Sequence, residues 1–437
     1  MREMKESGIE WIGEIPKEWE LPQITHFTTS RSGGTPDRNR GEYWENGTIP
    51  WMSSGEVNKV NVYETNEKIT RLGSLNSSAK ILSTNSVMVA LNGQGKTKGM
   101  CAILRIQAAC NQSLCAFKCN EMFLHYRYLF YCFNSMYKYL RFQSGDNLRD
   151  GLAASFVKIQ SIPLPSIKEQ YAISDYLDLK CAELDALQQD IEKEIETLKA
   201  YKKSLITQAV SKGLNPHVEM KDSGIEWIGK INSKWKLYRL RYLLKEPLKY
   251  GASETGVEYD DTLPRYIRIT DIQDNNTLKK EGKLSLTFEQ AKGYLLTEET
   301  VLFARSGATV GKTFLYKPQY GIAAFAGYLI AAVLNKNKMF AKWLFYYTNS
   351  SIYWNWINNS FSQSTIQNIG ADKYKNLIVV CPPIEEQNKI MHLLESKCAE
   401  IDSIIASKQK QSEILVEYKK SLIYELVTGK KEVPVHE

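Results

Sequence analysis

Pro165-Ser-Ile-Lys-Glu-Gln170, Lys180-Cys-Ala-Glu-Leu-Asp185 and Tyr201-Lys-Lys-Ser-Leu-Ile206 punctuate one stretch, 165–213, and the chain contains that stretch twice. The second copy reads Pro382-Pro-Ile-Glu-Glu-Gln387, Lys397-Cys-Ala-Glu-Ile-Asp402 and Tyr418-Lys-Lys-Ser-Leu-Ile423. Matched residues lie 217 positions apart, as Gln170 does from Gln387 and Tyr201 from Tyr418. A repeat of this kind sets the architecture before any single motif is weighed.

Each copy reads as one long helix. Leu177, Leu184, Ile191, Leu198 and Leu205 fall seven apart, with Ile173, Leu187 and Ile195 at the interleaved spacings. That is a heptad seam, which needs an apolar partner helix. In the second copy Leu394, Ile401, Leu415 and Leu422 keep the phase, and Lys408 stands where the first copy has Ile191. Ser166 followed by Glu169 has capping-box spacing, and Pro383 suits a first helical turn. Gly213 and Gly429 mark the stops. About 45 residues at ~1.5 Å each predict a rod of roughly 65 Å. A dimerising coiled coil between chains is the plainer reading, but two copies in matching phase favour an antiparallel pair within one chain.

A second phrase also recurs. Lys5-Glu-Ser-Gly-Ile-Glu-Trp-Ile-Gly-Glu-Ile15 with Trp19 returns as Lys221-Asp-Ser-Gly-Ile-Glu-Trp-Ile-Gly-Lys-Ile231 with Trp235. The repeat unit is therefore an opening phrase, a globular region and a long helix, taken twice. Trp11 and Trp227 are read as core anchors. The expected segments are a first globular domain at 1–164, a central spacer helix at 165–215, a second globular domain at 216–381, a distal helix at 382–428 and a tail at 429–437. The fold class is α+β, with two mixed α/β domains in tandem, separated by two long antiparallel helices about a pseudo-two-fold.

Between the repeated frames the globular regions share order but little identity. Short β-rich runs bounded by Gly and Asn appear at Thr48–Ser53, Ser86–Leu91 and Gly99–Leu104, and again at Leu263–Ile269, Thr300–Ala304 and Thr313–Tyr316. An aromatic helix-like segment follows in each, Tyr126–Tyr139 and Trp343–Trp356, then a strand-like run into the long helix. A frame kept nearly verbatim around diverged interiors fits a scaffold for two readers of different things.

Composition bounds the class. At 437 residues the chain is too long for one ordinary domain. A hydrophobic fraction of 43% with 24% charged residues describes a folded protein rather than a disordered one. A net charge of +7 permits a polyanionic partner without demanding one. The N-terminus lacks the apolar core of a signal peptide, and the longest apolar run, Gly321–Leu334, is too short to span a bilayer. Eight scattered cysteines point to a reducing cytoplasm.

Two phosphate-loop look-alikes occur, Ala90-Leu-Asn-Gly-Gln-Gly-Lys96-Thr97 and Ser306-Gly-Ala-Thr-Val-Gly-Lys312-Thr313. A working loop joins a strand to a helix whose N-terminus cradles phosphate. Here another strand is expected after each, so a shared Gly-rich β-turn is the better reading and a nucleotide hydrolase the weaker one. Cys115, Cys119 and His125 lack zinc-ribbon spacing. Cys181 and Cys398 are read as small buried hydrophobes. Neither an adenine-methyltransferase loop nor a Pro-Asp…Glu-x-Lys nuclease pattern is found. No catalytic, metal or cofactor site is expected in this chain.

Polar, basic and aromatic loop residues remain. Base edges are read by Arg or Lys at guanine and Asn or Gln at adenine, and the backbone by Lys, Arg, Ser and Thr. The DNA-contact candidates are Thr35, Ser54, Asn92, Gln94, Lys96, Lys98 and Arg149 in the first region. In the second they are Lys249, Arg265, Arg268, Arg305, Lys312, Gln363 and Ser364. A coiled-coil adaptor that binds no DNA is the competing class.

The arrangement resembles the specificity subunit of type I restriction–modification systems. The resemblance rests on Ser7–Pro16 with Trp19 and its repeat Ser223–Ile231 with Trp235. It rests equally on Ile162-Pro-Leu-Pro…Glu169-Gln170 and Pro382-Pro…Glu386-Gln387, and on the helices ending Tyr-Lys-Lys-Ser-Leu-Ile. Ser166 departs from the second proline of the pattern, and Asn232-Ser233 replace Pro16-Lys17. The resemblance implies two target-recognition domains, each reading half of a split, asymmetric site in double-stranded DNA. It implies a helical spacer that carries methyltransferase subunits, two per chain, with restriction and translocase subunits joining them. S-adenosylmethionine, ATP and Mg2+ would belong to those partners.

Overall fold

The computed structural model describes residues 2–93, 95–143, 151–273, 275–361 and 368–434. The chain divides into two compact units, Met1–Asp190 with Gln411–Glu437, and Ile191–Lys410. Each unit takes one globular region and part of both long helices.

In the first unit a sheet runs in the spatial order Thr28–Ser32, Leu114–Cys119, Ser86–Ala90, Cys101–Leu104, Asn61–Val62. The strand Ser86–Ala90 is buried throughout and apolar after its first residue, because the sheet is covered on both faces. Val87 and Val89 face the core shared with the helix Tyr126–Ser135, while Met88 and Ala90 face a second core beneath a smaller sheet. That smaller sheet orders Glu67–Ile69, Ile49–Met52 and Ala109–Cys110, with Trp51 beside Ala109 in parallel pairing.

The second unit repeats this plan in a different sequence. Its larger sheet orders Lys249–Tyr250, Leu329–Val333, Thr300–Ala304, Thr313–Leu315. Val301 and Phe303 enter one core, Leu302 and Ala304 the other. Its smaller sheet again holds one parallel pair, Arg265–Ile267 with Ala323–Phe325. The β-rich runs read from sequence are all strands, trimmed by a residue or more at most ends. The aromatic segments are each two helices rather than one, Tyr126–Ser135 then Tyr137–Gln143, and Ala341–Thr348 then Ser351–Phe361. The run at 161–164 forms isolated bridges to Gln23 and Glu20 rather than a strand.

The opening phrases fold as matching hairpins, Met4–Glu6 with Glu14–Pro16 and Met220–Asp222 with Lys230–Asn232. Gly8 and Gly13 in the first, and Gly224 and Gly229 in the second, all hold φ near +70° (68° to 72°), which an L-residue adopts only with strain. Trp19 and Trp235 are buried at the end of each phrase, and Trp11 is buried while Trp227 is half-buried.

The long helices span Ile167–Lys212 and Ile384–Val427. Ser166 caps the first through its Oγ, which accepts the Glu169 N–H at 3.3 Å. The Glu169 carboxylate does not complete the expected box but pairs with Arg2 at 2.5 Å. In the second unit Lys202 meets Asp402 and Lys408 meets Glu194, so the two helices run in opposite directions there. Leu177, Ile191, Leu394, Ile401 and Leu422 are buried; Leu184, Leu198, Leu205 and Leu415 are half-buried. Leu187 is a correction: it is 48% exposed, and the inward position is Gln188. The seam continues at four residues past each leucine, through Cys181 and Ile195, so Leu187, three past Leu184, falls on the outer flank.

The repeated Glu-Gln pair has a structural reason. Gln170 is fully buried; its Oε1 accepts the His125 N–H at 2.9 Å, and its Nε2 donates to Pro165 O at 3.0 Å and Phe123 O at 2.9 Å. Gln387 does the same to Phe340 N–H, Pro382 O and Lys338 O at 3.1, 2.9 and 3.2 Å. His125 and Phe340 are the N-caps of the two aromatic helices. One amide thus fills the orphan donor of a buried helix start in each unit.

Candidate nucleic-acid interface

The larger-sheet registers place the two units' loops in correspondence. Leu114 pairs with Ala90, and Leu329 with Ala304. Ser32 therefore corresponds to Tyr250, and Ser32-Gly-Gly-Thr35 to Tyr250-Gly-Ala-Ser253. The backbone confirms it: Gly34 N–H donates to Cys110 O at 2.9 Å, and Ala252 N–H to Phe325 O at 2.8 Å. A Cβ on Gly33 would come within 2.0 Å of Cys110 O, and one on Gly251 within 2.3 Å of Ala326 O. Only glycine permits that approach. A buried aromatic then fastens the turn from below. Trp51 Nε1 donates to Gly34 O at 3.0 Å, and the Tyr266 hydroxyl donates to Ala252 O at 2.8 Å. The second turn was missed in sequence; its signal was a glycine directly after a strand end.

In the first unit this turn, the 111–113 turn and the start of the loop that follows Ser86–Ala90 are contiguous. Thr35 is half-buried and its Oγ1 donates to Gln112 Oε1 at 2.6 Å. Leu91 N–H donates to Ser113 O at 2.8 Å, and Asn111 N–H to Met52 O at 3.0 Å. Ser54 opens the short helix Ser54–Lys59, whose start is fixed by Glu56 Oε2 accepting the Ser53 N–H at 2.9 Å. Thr35, Ser54 and Asn92 thus come to one edge. Asn92 and Lys96 are exposed, and Lys96 O accepts the Tyr137 hydroxyl at 2.7 Å. Lys98 is only 5% exposed, with its carbonyl accepting Arg141 Nη1 at 3.3 Å, so it is withdrawn from any surface contact. Gln94 and Arg149 lie outside the described residues.

In the second unit Lys249 is exposed and paired to Glu246 at 2.6 Å. Arg265 Nη2 donates to Lys279 O at 2.7 Å. Arg268 holds Asp271 through Nη2 at 2.9 Å and Nε at 3.2 Å, and donates to Gly282 O at 2.7 Å. The hydrogen bonds it donates to Asp271 raise the pKa of the Arg268 guanidinium above its ordinary value. These two arginines serve the 279–282 loop. Arg305 is different: its guanidinium lies over the Tyr250 ring at 4.9 Å. Lys312 is exposed at the end of the loop that follows Thr300–Ala304. Gln363 and Ser364 lie outside the described residues.

The two Gly-Lys-Thr loops connect antiparallel strands, Ser86–Ala90 to Cys101–Leu104 and Thr300–Ala304 to Thr313–Leu315. Neither leads into a helix that could cradle phosphate, which removes the geometric basis of the hydrolase reading. Their apparent alignment is also corrected. Ala90 N–H bonds to Met100 O as Ala304 N–H bonds to Lys312 O, so Met100, not Lys96, corresponds to Lys312. Gly99 and Gly311, with φ of +83° and +85°, occupy the same point in each loop.

A further cationic feature escaped the sequence reading. Arg38 lies over Trp44 at 3.8 Å and Trp51 at 5.0 Å, gripping Glu67 with two hydrogen bonds of 2.5 and 2.9 Å. Those bonds hold the Glu67 carboxyl below the usual carboxylate range. Among the described residues no group of three or more His, Cys, Asp or Glu is arranged to hold a metal, and no helix is long and apolar enough to cross a membrane.

A family model described as the type I restriction modification DNA specificity domain matches residues 16–197 and again 232–414. The StySPI specificity subunit of a type I restriction enzyme from Salmonella potsdam is 24% identical over 402 residues, 90% of this chain and 84% of its own. The MjaIX specificity subunit from Methanocaldococcus jannaschii is 23% identical over 435 residues, 97% of this chain and 95% of its own. A chain from a solved type I R-M system shares the fold at a TM-score of 0.71 and 14% identity, covering 95% of this chain and 99% of that one.

Proposed function

The chain belongs to the type I restriction modification DNA specificity family, and from that premise we infer that it is the DNA-recognition component of a type I restriction–modification enzyme. It reads sequence and carries out no reaction itself. Each globular region takes one half of a bipartite site, and the long helices set the distance between the halves and dock the methyltransferase subunits.

One observation carries this reading. The two regions share strand order and turn geometry, while the residues on equivalent turns differ. Ser32 answers to Tyr250, Ser53 to Arg268 and Leu91 to Arg305. Turn residues placed on a rigid sheet are where recognition concentrates. Equal scaffolds with unlike turn chemistry read unlike half-sites, so the whole site is asymmetric. The adaptor alternative gives no reason for keeping one turn geometry, with Gly33 and Gly251 at the same close approach and an aromatic beneath each turn, while the residues the turns present differ.

The methyl donor, ATP and Mg2+ are assigned to the partner subunits, two methyltransferases per chain and the restriction and translocase subunits. The helices 167–212 and 384–427 supply the docking surface. The deciding measurement is a genome-wide adenine-methylation map of a host expressing the chain with its methyltransferase, against one lacking the chain. A split motif with a fixed gap, present only with the chain, is expected. Methylation that does not depend on the chain would remove the assignment.

A further inference from the structure

We propose that Arg305, stacked on Tyr250, reads a guanine base edge in the half-site taken by the second region. This rests on the reading of that region as a DNA reader and adds to it one residue and one base.

The guanidinium of Arg305 is held but not satisfied. It lies over the Tyr250 ring at 4.9 Å, and its Nε is buried without a hydrogen-bond partner. Among the described residues its side chain makes no hydrogen bond and no ion pair. Arg265 also has a buried Nε without a partner, but its Nη2 donates to Lys279 O, and Arg268 spends its donors on Asp271 and Gly282 O. The platform beneath Arg305 is itself fixed, because the Tyr250 hydroxyl accepts the Ala371 N–H at 2.9 Å. The Arg305 backbone is pinned at both ends, its N–H donating to Tyr328 O at 3.1 Å and its carbonyl accepting the Ile369 N–H at 2.8 Å. A planar fork with unspent donors, held in place by stacking, is prepared for two convergent acceptors.

Guanine O6 and N7 form such a pair, and so do two phosphate oxygens. The comparison of the two regions favours the base. Positioning on the backbone is a need both regions share, and cations stand at the shared place before the Gly turn, Arg31 in one and Lys249 in the other. At the position of Arg305 the first region has Leu91, which is 5% exposed, and at that of Tyr250 it has Ser32. The pair is therefore peculiar to the second region, as a specificity contact should be.

The test is made with the full chain co-expressed with its methyltransferase, comparing R305L, R305K and the unsubstituted chain. R305L installs the residue the fold already carries at the equivalent site, and R305K keeps the charge while losing the fork. In both, methylation is expected to relax at one G·C pair of the second region's half-site, with the other half-site and the gap unchanged. Binding to duplexes substituted at that pair should lose roughly ten- to hundred-fold discrimination. A uniform loss of affinity across all sequences, with a salt dependence shallower by about one phosphate contact, would assign Arg305 to the backbone and overturn the proposal. So would an unchanged motif in R305L. An unsubstituted chain that directs no bipartite methylation would overturn the underlying reading, and this one with it.

Discussion

Lys202 Nζ lies 2.6 Å from Asp402 Oδ2, and the residues 217 positions from each, Lys419 and Asp185, make the same ion pair at 2.6 Å. Each long helix gives its lysine to the other's aspartate, once in each unit. The repeat is therefore reciprocal in structure as well as in sequence. Both pairs are partly exposed, with side-chain exposures of 27% and 44% in one and 29% and 53% in the other.

Pairs of that exposure fix register more than they add stability. Lys202→Met is expected to cost no more than about 1 kcal/mol. The double-mutant coupling with Asp402→Asn should be near 0.5 kcal/mol and should shrink in high salt. Urea unfolding at low and high ionic strength measures both. A coupling of several kcal/mol that ignores salt would contradict an exposed, screened pair.

The glutamines at the helix starts carry more. Gln387→Ala leaves the Phe340 N–H and the Pro382 and Lys338 carbonyls without their partner in a buried place. Unmet buried groups cost ~1–3 kcal/mol each before relaxation or water entry offsets part of it. A loss of about 3 kcal/mol is expected, and Gln170→Ala should match it in the first unit. Thermal unfolding of both variants decides this; a change within about 0.5 kcal/mol would mean that the amide is dispensable.

Burial gives the chain a pH limit. It pushes the Cys181 and Cys381 thiols up to about 11 and the Cys110 thiol to about 12, and raises the Tyr128, Tyr347 and Tyr353 hydroxyls in the same direction. The folded chain keeps these protons where the unfolded chain gives them up. Their stabilising effect is complete below the thiols' ordinary value near 9 and is lost as pH rises towards 11–12. Urea midpoints should hold to about pH 8.5 and then fall steadily. A midpoint as high at pH 10.5 as at pH 8 would contradict the burial of these groups. Thiol reagents at pH 8 should label native protein slowly at all eight cysteines, each of which is free and buried.

The long helices and central strands were legible because each carries its own signal. A phrase repeated at one offset fixes the helices, and a run such as Val87-Met-Val-Ala90 has only one way to be covered on both faces. The loops were not legible in the same way. Lys96 and Lys312 share a tripeptide, yet strand pairing aligns Lys312 with Met100, because the first loop is longer and register is set across the sheet. Lys98 looked like a surface cation and is buried. Leu187 fitted a heptad on spacing alone, but three-residue and four-residue steps both look periodic until a partner helix selects one. The match of Ser32–Thr35 with Tyr250–Ser253 rests on a single shared glycine, and no local propensity announces it.

The spacer role makes a prediction the unit boundaries sharpen. The helices pass from one compact unit to the other at Asp190–Ile191 and Lys410–Gln411. One heptad inserted at both points leaves Lys202–Asp402, Lys408–Glu194 and Lys419–Asp185 within their own units and keeps the seam in phase. Seven residues add ~10 Å of helix, which corresponds to at most roughly three base pairs of gap. The same heptad inserted after Ile191 alone lengthens one helix without its neighbour and should reduce stability. For the double insertion, a methylation map should show both half-sites unchanged and the gap longer. Unaltered half-sites at the original gap would mean that something other than these helices sets the distance. Altered half-sites would mean that the regions do not read independently of the rod that joins them.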